Sequence, residues 1–96
     1  MSYLSTIQAQ LQQIKPQLSA KYHVNTLGLF GSVVRNDFTP ESDIDIVVDF
    51  SKPIGVEFID LANDLERLLK RKVDLVSKDG IKPKYFREIQ PEIVYV

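Results

Sequence analysis

Asp43-Ile44-Asp45-Ile46-Val47-Val48-Asp49-Phe50 alternates as a strand with two unlike faces: Ile44, Ile46, Val48 and Phe50 fall on one, Asp43, Asp45, Val47 and Asp49 on the other. The apolar face must turn to a core, so the acids turn away from it. Strand rise sets the Cα atoms of Asp43 and Asp45 roughly 7 Å apart. From there two carboxylates can converge on a pair of Mg²⁺ ions about 3.5–4 Å apart. Asp49 lies too far along the strand to join them.

Working outward, Val24-Asn25-Thr26-Leu27-Gly28-Leu29-Phe30 reads as a short buried strand that runs into Gly31-Ser32, with Ser32-Val33-Val34-Arg35 as a short helical turn. Residues 36–42 are turn-rich and deliver the strand at Asp43. Before them, Leu4, Ile7, Leu11, Ile14 and Leu18 recur at spacings of three and four, which predicts an amphipathic helix that Pro16 should kink or end near Lys15. Ser51 to Gly55 breaks the second strand. A longer helix follows over Val56 to Lys70, its stripe made of Phe58, Ile59, Leu61, Ala62, Leu65, Leu68 and Leu69. Lys72 to Val76 is a third strand, Ser77 to Gly80 a turn, Lys82 to Ile89 a short helix with Pro83 early in it, and Pro91 to Val96 an edge strand.

The chemistry concentrates at three places. A glycine at 31 lets the backbone come close to a triphosphate, the turn after it points N–H groups outward, and the Ser32 hydroxyl can donate to a phosphate oxygen. Gly-Ser alone is an ordinary strand-to-helix turn; its weight comes from the Asp43/Asp45 pair that follows. Two like charges side by side on an otherwise apolar strand repel unless a cation neutralises them. Asp74 interrupts Val73, Leu75 and Val76, and alternation sets it on the face opposite Val73 and Leu75. It is the candidate third carboxylate, placed to favour deprotonation of an attacking hydroxyl, unless it is an edge-strand acid facing water. Arg35, one turn after Ser32, can pair bidentately with phosphate oxygens or stand exposed on its helix. Arg67, Lys70, Arg71 and Lys72 form a basic cluster at a helix C-terminus, which can contact a triphosphate or a partner or simply complement the helix dipole. His23 reads as a surface residue before the first strand.

The 96 residues, 44% hydrophobic and 26% charged, fit one domain over 1–96 with a modest core. Cysteine is absent and there is one histidine, which excludes disulfides and thiolate zinc sites and leaves a hard, oxygen-liking metal. No apolar run is long enough to span a bilayer and no targeting segment opens the chain, so a cytoplasmic location without membrane contact is expected. A net charge of −1 argues against direct nucleic-acid binding, which needs a basic surface.

Gly31-Ser32, a spacer, Asp43-Ile44-Asp45 and the later Asp74 match the motif of the polymerase-beta-type nucleotidyltransferases, and the size resembles their minimal nucleotidyltransferase subgroup. The likeness covers nearly the whole chain. It implies an α/β (α+β) fold with a mixed sheet of three to four strands flanked by helices. It also implies two Mg²⁺ ions held by Asp43 and Asp45, the catalytic one also by Asp74, with Gly31-Ser32 on the phosphates of an ATP donor. Small proteins of this subgroup often serve as antitoxins beside a HEPN-domain ribonuclease toxin, so the resemblance implies such a partner and transfer of AMP from ATP to one of its tyrosines. Size points the same way: nearly every residue is needed for the sheet and its helices, so the acceptor must bring its own binding surface. Two other readings stand beside this one, a non-catalytic antitoxin that covers its toxin and a transferase acting on an aminoglycoside-like hydroxyl compound.

Overall fold

The computed structural model describes residues 3–35 and 37–96. Its elements in chain order are α1 (Tyr3–Tyr22), β1 (Val24–Phe30), β2 (Ile44–Phe50), α2 (Glu57–Leu69), β3 (Val73–Ser77), α3 (Pro83–Ile89) and β4 (Val94–Tyr95). One mixed sheet runs β3-β2-β1-β4, with β1 antiparallel to both β2 and β4, and β2 parallel to β3. A parallel pair needs a crossover, and α2 supplies it.

The alternation along β2 sorts the core as expected. Ile44, Ile46 and Val48 are buried with Ile7, Leu11 and Leu18 of α1 and Leu61, Leu65 and Leu69 of α2. On the other sheet face Phe30, Val47 and Ile89 form a second, smaller core against Val76, Ile81, Phe86 and Ile93, so α3 and the chain after it cover only part of that face. The uncovered part is where Asp45 and Asp74 lie. Ile59 does not join the stripe of α2: it is 63% exposed, because it stands about 160° around the helix from Leu61 at 100° per residue.

The ends of α2 and β3 shift by one residue from expectation, and three further differences bear on the core and the site. Helix α1 does not stop near Lys15 but continues through Pro16 to Tyr22. Pro16 is exposed, so its missing N–H and the freed carbonyl face water, while Leu18 and Tyr22 beyond it are buried; burial of each such side chain is worth about 1.5–3 kcal/mol, which offsets the helix penalty. Pro16→Ala is therefore expected to stabilise the protein by about 2 kcal/mol, the interior-proline cost less the entropy proline removes from the unfolded chain. Urea denaturation would check this, and an unchanged or lowered midpoint would show that the helix carries no penalty there. The second difference is Asp43, which lies just before β2; the strand opens at Ile44, whose N–H donates to the Lys72 carbonyl at 2.9 Å. The third is at the C-terminal end. Pro91 suits a helical φ and offers no N–H, so residues Gln90–Glu92 form a 3₁₀ turn and the strand shortens to Val94–Tyr95, opposite Leu29 and Gly28, with the Val96 N–H donating to the Leu27 carbonyl at 2.9 Å.

His23 and Lys70 take the left-handed conformation (φ 58° and 55°) immediately after α1 and α2. Their N–H groups donate to the carbonyls of Ser19 and Glu66 at 3.0 and 2.8 Å, which closes both helices in the αL manner. His23 is exposed and sits at the start of β1, at the far end of the sheet from Asp45. Among the described residues no helix is long and apolar enough to cross a membrane.

Candidate functional site

Strand β1 ends at Phe30, which lies opposite Asp45 in the antiparallel register. The next residue, Gly31, turns the chain with φ +76° into a 3₁₀ turn over Gly31–Val33, and its carbonyl accepts the N–H groups of Val34 and Arg35, both at 3.1 Å. Glycine is required here twice over. A positive φ strains any residue with a Cβ, and a Cβ at this position would lie 2.1 Å from Oδ2 of Asp45. Gly31 thus lies directly against the Asp45 carboxylate, fourteen residues away in the sequence.

The parallel register sets Asp74 of β3 beside Asp45 of β2, on the same face as Val47 and Val76. Asp43 stands exposed one residue before β2 and Asp74 is exposed, while Asp45 is half-buried. Burial raises the Asp45 carboxyl to about 6, and the negative charges of Asp74, Asp43 and Glu92 push the same way against the single opposing influence of Arg35. The site is electrostatically short of positive charge. Among the described residues no group of three or more His, Cys, Asp or Glu side chains closes into a metal cage. Mg²⁺ needs no such cage, since it takes one or two carboxylates and fills its remaining positions with water and substrate phosphates. Asp43, Asp45 and Asp74 are the residues that could hold it, and all offer the hard oxygen it prefers.

Arg35 is exposed and paired, Nε with Asp37 at 3.7 Å and Nη1 with Glu92 at 3.3 Å. The Glu92 carboxylate also accepts the Gly31 N–H at 3.1 Å. Sequence reading missed Glu92. It comes 61 residues after Gly31, with no spacing or motif to connect them, and only the path of the chain after α3 brings it to the turn. Glu92 adds a fourth carboxylate to the edge of the site.

The basic cluster at the end of α2 separates into different roles. Arg67 pairs with Asp64, which also accepts the Tyr22 hydroxyl and the Lys21 ammonium; the Tyr22 hydrogen bond is the chief cause that lowers the Asp64 carboxyl below its usual range. Arg71 lies over the rings of Tyr3 and Phe38 at 5.0 and 5.1 Å and donates to the Pro40 carbonyl. Lys70 and Lys72, with Leu69, Arg71 and Asp43, line an open cleft of about 600 Å³. Of the three candidate carboxylates only Asp43 lines it.

The family model of the nucleotidyltransferase domain matches residues 11–96. The protein adenylyltransferase MntA of Thermococcus cleftensis is 39% identical over 97 residues, spanning 100% of this chain and 98% of its own. A solved structure of a candidate minimal nucleotidyltransferase superposes with a TM-score of 0.81 at 29% identity, over 98% of this chain and 95% of that one. The MNT antitoxin in complex with a tri-AMPylated HEPN toxin of Shewanella oneidensis shares the fold, with a TM-score of 0.68 at 22% identity over 93% of this chain and 70% of that one.

Proposed function

The chain belongs to the nucleotidyltransferase domain family, and from that premise we propose that it is a Mg²⁺-dependent protein adenylyltransferase that moves AMP from ATP to a hydroxyl, a tyrosine by the family likeness, of a cognate HEPN ribonuclease toxin and so acts as its antitoxin. The observation that carries the reading is the meeting of Asp45 with Gly31 on one side and with Asp74 on the other. A phosphate-binding turn and a set of carboxylates short of positive charge are what a metal-bound triphosphate requires. The full-length likeness to an adenylyltransferase supports AMP as the transferred group, and the toxin complex of the same fold supports the acceptor.

In this reading Gly31, the Ser32 hydroxyl and the Arg35 guanidinium orient the donor phosphates, and Asp43 and Asp45, with Asp74, would hold two Mg²⁺ ions. When bound, those ions neutralise the charge that builds on the phosphates and on the leaving pyrophosphate. Asp74, at the exposed end of the set, accepts the proton of the attacking hydroxyl. The hydroxyl oxygen forms its bond to the α-phosphorus as the bond to the bridging oxygen breaks, and pyrophosphate departs with that electron pair. A phenol, more acidic than an alkyl hydroxyl, is the easier acceptor to deprotonate. The open cleft beside Asp43 is consistent with an acceptor that brings its own surface.

The test uses the protein encoded next to this one. Incubated with ATP and Mg²⁺, that neighbour should gain one or more AMP units in intact mass and lose its toxicity. Full neutralisation at unchanged mass would instead establish an antitoxin that works by covering its partner. Asp74→Ala separates the proposed roles, since it should keep ATP binding yet transfer about a hundredfold or more slowly; transfer at the wild-type rate would remove Asp74 from the mechanism.

A further inference from the structure

Glu92 touches both groups that the proposed function assigns to the donor phosphates other than Ser32. One carboxylate accepts the Gly31 N–H at 3.1 Å and pairs with Nη1 of Arg35 at 3.3 Å, two partners four residues apart on the same turn. Its own anchorage is firm. It closes the Gln90–Glu92 turn, between Ile89 and Ile93 of the second core, and its side chain is only 27% exposed. Asp37 takes the Nε edge of Arg35 and Glu92 takes Nη1, and because a guanidinium carries its five donors in a fixed fork, these two contacts orient the fork beside the Gly31 turn.

Resting on the reading that Gly31, Ser32 and Arg35 face the donor, we propose that Glu92 is a positioning residue for the ATP triphosphate: it fixes the Gly31 turn and the Arg35 fork from a packed platform before the nucleotide arrives. Supports of this kind hold contact groups within the narrow geometry that binding needs. Glu92 does not touch the reacting atoms. Its hold on the donor is exerted through Gly31 and Arg35.

Titration calorimetry with ATP and Mg²⁺ tests this on the full chain, alongside steady-state transfer and thermal melting. Glu92→Gln keeps an acceptor for the Gly31 N–H but loses the charge that holds Arg35, and Glu92→Ala loses both. ATP affinity should fall several-fold in the first and roughly tenfold or more in the second, the scale of lost second-layer support, with KM for ATP rising in step and kcat at saturating ATP little changed. In an Arg35→Ala background, Glu92→Gln should have almost no further effect on ATP affinity, because the group it acts through is gone. A merely structural Glu92 would give the same loss in both backgrounds and would overturn the proposal. So would tighter ATP binding by Glu92→Gln, the result for a carboxylate that simply occupies the phosphate position. Wild-type protein that fails to bind ATP with Mg²⁺ would overturn the proposed function itself, and this inference with it.

Discussion

Asp45→Asn is expected to abolish AMP transfer and, in the absence of Mg²⁺, to make the protein more stable. The Asp45 carboxyl is raised from 3.8 to about 6, first by burial and then by Asp74, Asp43 and Glu92. The folded protein therefore holds this proton more tightly than the unfolded chain, so the ionised carboxylate costs stability above pH 6, and that cost fades as pH falls toward 4. The gap from 3.8 to about 6 corresponds at most to about 3 kcal/mol, and screening by solvent at this half-exposed site brings it to about 1–2 kcal/mol. At roughly 4–8 °C per kcal/mol for a domain of this size, the variant should melt several degrees higher at pH 8 in chelator. The difference should close near pH 4.5. Adding Mg²⁺ and ATP should raise the melting temperature of the wild type but not of the variant. Transfer should drop about a thousandfold, equivalent to about 4 kcal/mol of lost charge stabilisation. Asp43→Ala should lose transfer likewise with little change in stability, since Asp43 is exposed. A variant Asp45→Asn that melts below the wild type at pH 8 would refute the charge-cluster account; full activity in both variants would refute the site.

Gly31→Ala carries the largest expected loss of stability. The φ of +76° costs a residue with a Cβ about 1–2 kcal/mol. The approach of 2.1 Å to Oδ2 of Asp45 forces that side chain or the turn to move, which brings the total to about 3–4 kcal/mol. A domain of this length has only about 5–14 kcal/mol in hand. Urea denaturation should show the loss, and transfer should fail because the turn and the carboxylate are displaced together. Combining Gly31→Ala with Asp45→Ala removes the colliding oxygen, so the double variant should be more stable than Gly31→Ala alone, with only the backbone cost remaining. Strictly additive losses would mean that Gly31 and Asp45 do not share this contact.

Much of the site was legible because local periodicity and local chemistry carry it. The two faces of Asp43 to Phe50, the strand before Gly31 and the stripe centred on Leu61, Leu65 and Leu69 follow from side-chain alternation and helical spacing alone. The face that Asp74 takes came from the same alternation within its own strand. Pro16 does not end its helix for the complementary reason: its local penalty is real, but burial of Leu18 and Tyr22 against other elements outweighs it.

The sequence by itself determined which residues alternate, where the chain turns, and that a Gly-Ser turn and three acids are present with the spacing of a nucleotidyltransferase. Only the tertiary structure decided that Asp45 stands against Gly31, that Asp74 is its register partner, and that Glu92 reaches back to the Gly31 N–H and Arg35. The physical reason is range. Propensity and periodicity act within a few residues, whereas strand register and the return of the chain after α3 are set by packing two faces of one sheet at once, and no window of sequence contains that information.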